Sequence, residues 1–207
     1  MFIKVCGITS REDALAAVEV GANALGFNFY IGSPRYITME AAKHIAEEIP
    51  EDVLKVGVFV NELRSNVERN ITDAGLHVAQ LHGEEDPMDV LDYSVQVWKA
   101  FRVTQDFDPL RLEIYRARAY VLDGPAGALF GGSGEAFDWH AVRGVRKPLV
   151  IAGGLDATNV GAVIRELQPV GVDACSRLEI SPGRKDKQRM REYVEAALAA
   201  AASIERN

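Results

Sequence analysis

With 207 residues, 48% of them apolar and 26% charged, the chain is long enough for one substantial core and has the polarity of an ordinary globular protein. A net charge of -7 argues against nucleic acid or another polyanion as partner. A small anionic ligand remains open to it, held locally by backbone amides and one or two arginines. Two cysteines, Cys6 and Cys175, give neither a zinc spacing nor a disulfide framework, so reduced thiols are expected. The N-terminus lacks the basic region and apolar run of a signal peptide, and no stretch is long and apolar enough for a membrane span. A cytoplasmic protein with no membrane partner is the expectation.

Short apolar runs alternate with longer amphipathic ones from end to end. Residues 2–5 read as a strand, and 11–20 as a helix with Ala14, Leu15, Ala17 and Val18 as its apolar stripe and Gly21 as its stop. Strand 24–29 precedes helix 38–49, for which Thr38 is the expected N-cap. Strand 55–60 precedes helix 62–74. Strand 77–81 precedes a short helix at 89–93, and strand 95–101 a helix at 109–118. After strand 119–122 comes the glycine-rich segment 125–134, read as a mobile loop, with only a short helix near 139–142 behind it. Strands 149–152 and 171–174 precede helices 157–167 and 186–202, the last with an alanine-rich end past Ala196 that is prone to fray. Eight strands alternating with helices in one domain, 1–207, predict a compact (β/α)8 TIM barrel. An open doubly wound sheet is the competitor. The count of eight and the lack of an early GxGxxG favour the barrel.

Chemistry in such folds is done where parallel strands end. Cys6 ends the first strand before Gly7, and Asp123 ends the sixth before Gly124. A thiol and a carboxyl converging from separate strands suggest a base and an acid. Taken singly, Cys6 also reads as a small buried hydrophobe and Asp123 as an N-cap. A base thiol needs its pKa drawn toward neutrality, to which Lys4, on the same side of the strand, is placed to contribute. Gly153-Gly154 after the seventh strand and Asp173, Ser176 and Arg177 after the eighth occupy the two loops that commonly build a barrel's phosphate site, although a glycine pair also marks a plain tight turn. Arg35 suits a bidentate carboxylate contact or a solvated surface position. Gln80 and His82 alternate along one strand end, where a structural histidine and a ligand contact fit equally. The histidines show no metal-binding spacing, so no metal is expected.

Several runs together, Lys4-Val-Cys-Gly7, Ser33-Pro-Arg-Tyr36, Gln80-Leu-His-Gly83, Gly131-Gly-Ser-Gly134 and Pro182-Gly-Arg-Lys-Asp186 among them, occur in an order that resembles the phosphoribosylanthranilate isomerase family over residues 4–186. The resemblance implies a cofactor-free barrel of tryptophan biosynthesis. It would convert N-(5-phosphoribosyl)anthranilate to 1-(2-carboxyphenylamino)-1-deoxyribulose 5-phosphate by an Amadori rearrangement. Asp123 then matches the general acid, Cys6 the general base, and Arg35 the holder of the anthranilate carboxylate. Gly154, Ser176 and Arg177 match the phosphate grip, with Gln80, Gly153 and Asp173 completing the substrate set. Gly132 lies in the run that matches a loop closing over the ligand.

One run departs from the family pattern, Asp-Val-Ser-Ser-Gly-Val-Glu, because this chain has Asp173-Ala-Cys-Ser-Arg-Leu-Glu179. Arg177 is awkward if its position needs a positive φ, and useful if its guanidinium reinforces the phosphate site. Cys175 has no family counterpart in role and reads as packing. A bifunctional histidine and tryptophan isomerase would be expected to place an aspartate where Cys6 stands. A metal-dependent epimerase would need histidines and carboxylates that do not converge here. A barrel that binds without turnover would need neither Cys6 nor Asp123. The expected partner is one small phosphosugar-anthranilate molecule, the protein being a monomer or a homodimer.

Overall fold

Strands that are apolar almost without interruption need cover on both faces, and a parallel sheet wrapped in helices supplies it. The computed structural model describes residues 1–124 and 139–204. Its strands are β1 (Phe2–Val5), β2 (Ala24–Asn28), β3 (Leu54–Phe59), β4 (Val78–Leu81), β5 (Gln96–Arg102), β6 (Ala119–Asp123), β7 (Leu149–Ile151) and β8 (Gly171–Ala174). Each pairs in parallel with the next, and β8 pairs with β1, so the sheet closes into an eight-stranded barrel. An antiparallel pair, β9 (Glu179–Ser181) and β10 (Arg184–Lys185), follows β8. Gly132, together with the whole segment expected to be a mobile loop, lies outside the described residues.

Side chains alternate across each strand, and the alternation sorts the core into two layers. Val56, Val78, Trp98, Val121 and Val150 fill the barrel interior as one apolar cluster. Their neighbours Leu25, Phe27, Leu81, Leu122 and Val172 belong to the layer between sheet and helices. The period of two therefore puts Lys4 inside the barrel, and Cys6 one step above it.

The helices α1 (Arg11–Glu19), α2 (Met39–Ala46), α3 (Arg64–Asp73), α4 (Val160–Leu167) and α5 (Lys187–Ile204) pack outside. Ser10 caps α1 by accepting from Asp13 N, and Thr38 caps α2 by accepting from Ala41 N, each at 3.2 Å; such caps contribute about 1 kcal/mol. Gly21, at φ +100°, ends α1 in a conformation that favours glycine. The expected fraying past Ala196 does not occur: α5 continues to Ile204 because Ala197 and Ala200 share the buried face of Met190, Tyr193 and Val194.

Three expected helices are absent in α form, the one at Trp139–Val142 being a 3-10 turn. Residues 89–93 make turns, with Asp89 Oδ2 accepting from Asp86 N at 3.1 Å and Asp92 at φ +60°. A five-residue stretch cannot repay helix nucleation, and its aspartates satisfy local backbone instead. After β5, Pro109–Ile114 is a 3-10 turn that stops because Tyr115 turns inward to donate to Glu85 O at 3.0 Å.

Candidate active site

At the end of the barrel where the strands finish, a cleft of about 600 Å³, open to solvent, is lined by Cys6, Arg35, Gln80, His82, Asp123, Gly153, Gly154, Asp173, Cys175, Ser176 and Arg177. Apart from Gly132, every residue expected from sequence to serve the site is therefore in one place.

Beneath the cleft, Lys4 on β1 and Asp173 on β8 are register partners, and Lys4 Nζ donates to Asp173 Oδ2 at 2.7 Å. Burial alone would strip the proton from Lys4, but Asp173 and Cys6 outweigh it and hold the ammonium charged. The same burial pushes Asp173 up to about 7 against the pull of Lys4. Gly26 makes room for this arrangement: a Cβ there would stand 2.6 Å from Cys6 Sγ and 3.0 Å from Lys4 Nζ.

Cys6 stands near the second cysteine of the chain. The Cys6 amide donates to Ala174 O at 2.9 Å, which sets Cys175 next along the adjacent strand, and both residues line the cleft. The nearby Cys175 thiol and burial push Cys6 up, against the charge of Lys4. Cys175 is drawn down to about 7, chiefly by the nearby Cys6 thiol and, against burial, by Lys185 and Arg35. The thiol brought to neutrality is thus Cys175, contrary to expectation, and the pair titrates as a unit holding one negative charge first. Cys175 lines the cleft.

Across the cleft, His82 Nε2 lies 3.2 Å from Asp123 Oδ2, and Gln80 Nε2 lies 2.9 Å from His82 Nδ1. The amide nitrogen can only donate, so the assigned geometry makes Nδ1 the acceptor and leaves Nε2–H to donate to Asp123. One Asp123 oxygen is thereby anchored. The contact joins side chains 41 positions apart and is disclosed only after folding.

Arg35 is buried, not solvated. Its Nε and Nη2 grip Glu179, and Lys185 Nζ joins the same carboxylate at 2.9 Å. Among the described residues, Gln80 Oε1 and Asp173 Oδ1 are buried without a hydrogen-bond partner, and both residues line the cleft. Gly153 and Gly154 adopt φ +81° and +61° in a turn fastened by Asn159 Nδ2, which donates to Gly154 O at 2.8 Å. Arg177 has no positive φ: among the described non-glycine residues only Asn61, Asp92 and Gln168 do. The arginine therefore fits its backbone without strain, and its Nη1 pairs with Asp156 at 3.4 Å while the side chain stays half-exposed.

Residues 3–196 match the family model described as N-(5'phosphoribosyl)anthranilate (PRA) isomerase. The chain belongs to that family. It is 48% identical over 200 residues to N-(5'-phosphoribosyl)anthranilate isomerase of Solibacter usitatus, covering 97% of this chain and 98% of that one. The crystal structure of the Thermotoga maritima phosphoribosyl anthranilate isomerase superposes with a TM-score of 0.90 at 37% identity, covering 96% and 99% of the two chains. Another isomerase structure, solved in complex with reduced 1-(o-carboxyphenylamino)-1-deoxyribulose 5-phosphate, gives a TM-score of 0.86 at 36% identity over 96% of this chain and 99% of that one. Within the isomerase family frame, three partners were missed from sequence: Glu179 and Lys185 behind Arg35, and Gly26 behind Cys6. Glu179 and Lys185 stood inside runs already compared, but neither carries a reactive role that would single it out.

Proposed function

We propose that this chain isomerises N-(5'-phosphoribosyl)anthranilate to 1-(2-carboxyphenylamino)-1-deoxyribulose 5-phosphate in tryptophan biosynthesis, with Asp123 as acid and Cys6 as base. The observation that carries the reading is a carboxyl and a thiol on opposite walls of one cleft, within a chain of this family. Asp123, in its carboxyl form and oriented by His82, gives its proton to the furanose oxygen. The C1–oxygen bond breaks as the anilino nitrogen lone pair forms a C1=N bond. Cys6, as thiolate after passing its proton to Cys175, removes the proton from C2, which the iminium has made acidic. The resulting enolamine takes up a proton at C1 and loses one from the C2 hydroxyl, giving the ketone. The sequence is redox-neutral and its protons are those that an acid and a base exchange, so the chemistry calls for no cofactor.

Binding occupies the two ends of the cleft. Arg35 Nη1, the guanidinium nitrogen not engaged by Glu179, meets the anthranilate carboxylate. Gly153, Gly154, Ser176 and Arg177 receive the phosphate, while Gln80 Oε1 and Asp173 Oδ1 accept from sugar hydroxyls. All of these groups come from one chain, so a monomer or a homodimer carries a complete site. The cytoplasm is the compartment this reading assigns, in keeping with two free thiols.

The test is loss of fluorescence of freshly made phosphoribosylanthranilate, followed with EDTA present. Turnover by the wild type, at least about a hundredfold weaker in Cys6→Ser and in Asp123→Asn, is the expected result on the usual scale of acid–base catalysis. Tight binding with no turnover by the wild type would make the protein a ligand-binding barrel.

A further inference from the structure

Cys6 and Cys175 follow Val5 and Ala174, which are register partners on the adjacent parallel strands β1 and β8. Neighbouring strands stand about 4.8 Å apart, inside the Cα separation of about 4.4–6.8 Å that a disulfide spans. Side chains at matched register positions lie on the same face of a sheet, so the two thiols point the same way. Both residues are partly exposed and line the cleft, so a small solute reaches them without unfolding. Lys185 Nζ lies 3.8 Å from Cys175 Sγ, a cation beside one sulfur of the pair.

We infer that the Cys6–Cys175 pair is a reversible two-electron oxidation site for hydrogen peroxide and small organic hydroperoxides. Cys175, as thiolate, attacks the distal peroxide oxygen. The O–O bond breaks, the leaving oxygen departs as water or alcohol after taking a proton, and Cys175 becomes a sulfenic acid. Cys6 then attacks Cys175 Sγ, forming the S–S bond as the sulfenic oxygen leaves as water with the Cys6 proton. Two thiols have lost two electrons and two protons, and the peroxide has gained them. Thiol–disulfide exchange with a dithiol reductant reverses the step. In a reducing compartment such a disulfide is transient, as befits a sensor.

The consequence for activity rests on the reading of Cys6 as base: a disulfide consumes the base, so turnover falls in proportion to the cross-linked fraction. The full-length protein is treated with a small molar excess of hydrogen peroxide, its free thiols are blocked with N-ethylmaleimide, and its digest is examined by mass spectrometry. The expected result is a peptide joining Cys6 to Cys175, appearing as activity is lost, with both changes undone by dithiothreitol. Cys175→Ser should yield no cross-linked peptide. Recovery of both wild-type cysteines as separate maleimide adducts, or as sulfinic or sulfonic acids without a joined peptide, overturns the inference. Reversible inactivation of Cys175→Ser at the wild-type rate does the same, because oxidation would then run through Cys6 alone. A joined peptide with full activity upholds the oxidation site and instead overturns Cys6 as base.

Discussion

Arg35 holds Glu179 across 144 residues of sequence, with Nε 2.9 and 3.1 Å from its two oxygens and Nη2 at 2.8 Å. Burial works against both charges, yet the contact keeps the guanidinium protonated and, with Lys185, holds the Glu179 carboxyl below its usual range. Glu179→Ala leaves two cations facing each other in the protein. Breaking a buried pair in this way typically costs about 3–5 kcal/mol, so thermal unfolding should show a large drop in Tm. Arg35→Lys keeps the charge but loses the planar fork. Losing charge-assisted hydrogen bonds costs roughly 1.5–3 kcal/mol, so steady-state kinetics should give a KM raised on the order of tenfold or more, with kcat nearer the wild-type value.

The thiol pair sets a pH dependence. The Cys175 thiol is drawn to about 7, so the pair acquires its negative charge through that range as pH rises. Proton abstraction needs the charged pair, so kcat/KM should climb with pH through about 7 and then level off. In Cys175→Ser the charge must form on Cys6 alone, which burial disfavours more than the Lys4 charge favours. The rising limb of the pH profile should therefore move to higher pH. An unchanged limb would place the titrating group elsewhere.

Gly153 is held by backbone, not by flexible side chains. A Cβ at φ +81° would stand 2.3 Å from Gly124 N and 2.8 Å from Gly124 Cα. The left-handed conformation alone costs an ordinary residue about 1–2 kcal/mol, and the clash adds to it by displacing the end of β6 that carries Asp123. Gly153→Ala should lose at least about 2 kcal/mol in denaturant unfolding and reduce kcat as well. Gly75→Ala is the control: φ is +62° there but nothing lies within 4 Å, so only the backbone cost should appear.

Arg177 tests the phosphate end of the cleft. Its guanidinium pairs loosely with Asp156 in a half-exposed position. A solvent-screened ion pair with phosphate contributes up to about 1 kcal/mol, so Arg177→Gly should raise KM by roughly fivefold at most and leave kcat alone. Competitive inhibition by inorganic phosphate should weaken by a similar factor, and both effects should shrink at high salt. A fall in kcat instead would mean that the arginine acts on the chemistry.

Much of this was legible from the chain. Strands such as 149–151 declare themselves because a strand buried on both faces must be apolar almost throughout, and Thr38 announces α2 because an orphan helix amide needs an oxygen acceptor. Cys6, Asp123 and the paired glycines stand at strand ends, a position that sequence alone can locate. The helix expected at 89–93 failed because a short acidic stretch finds its hydrogen bonds locally, and α5 outlasted its alanine-rich end because tertiary packing outweighs propensity there.

Where the strands lie along the chain was set by local chemistry, since apolar runs and the turn residues between them need no distant partner to establish them. Which side chains meet was decided only by closing the barrel. Closure brings β8 against β1 and so places Cys175 on Cys6 and Asp173 under Lys4, pairs separated by 169 residues in each case. Contacts of that span depend on ring closure and register, which no local stretch of sequence encodes.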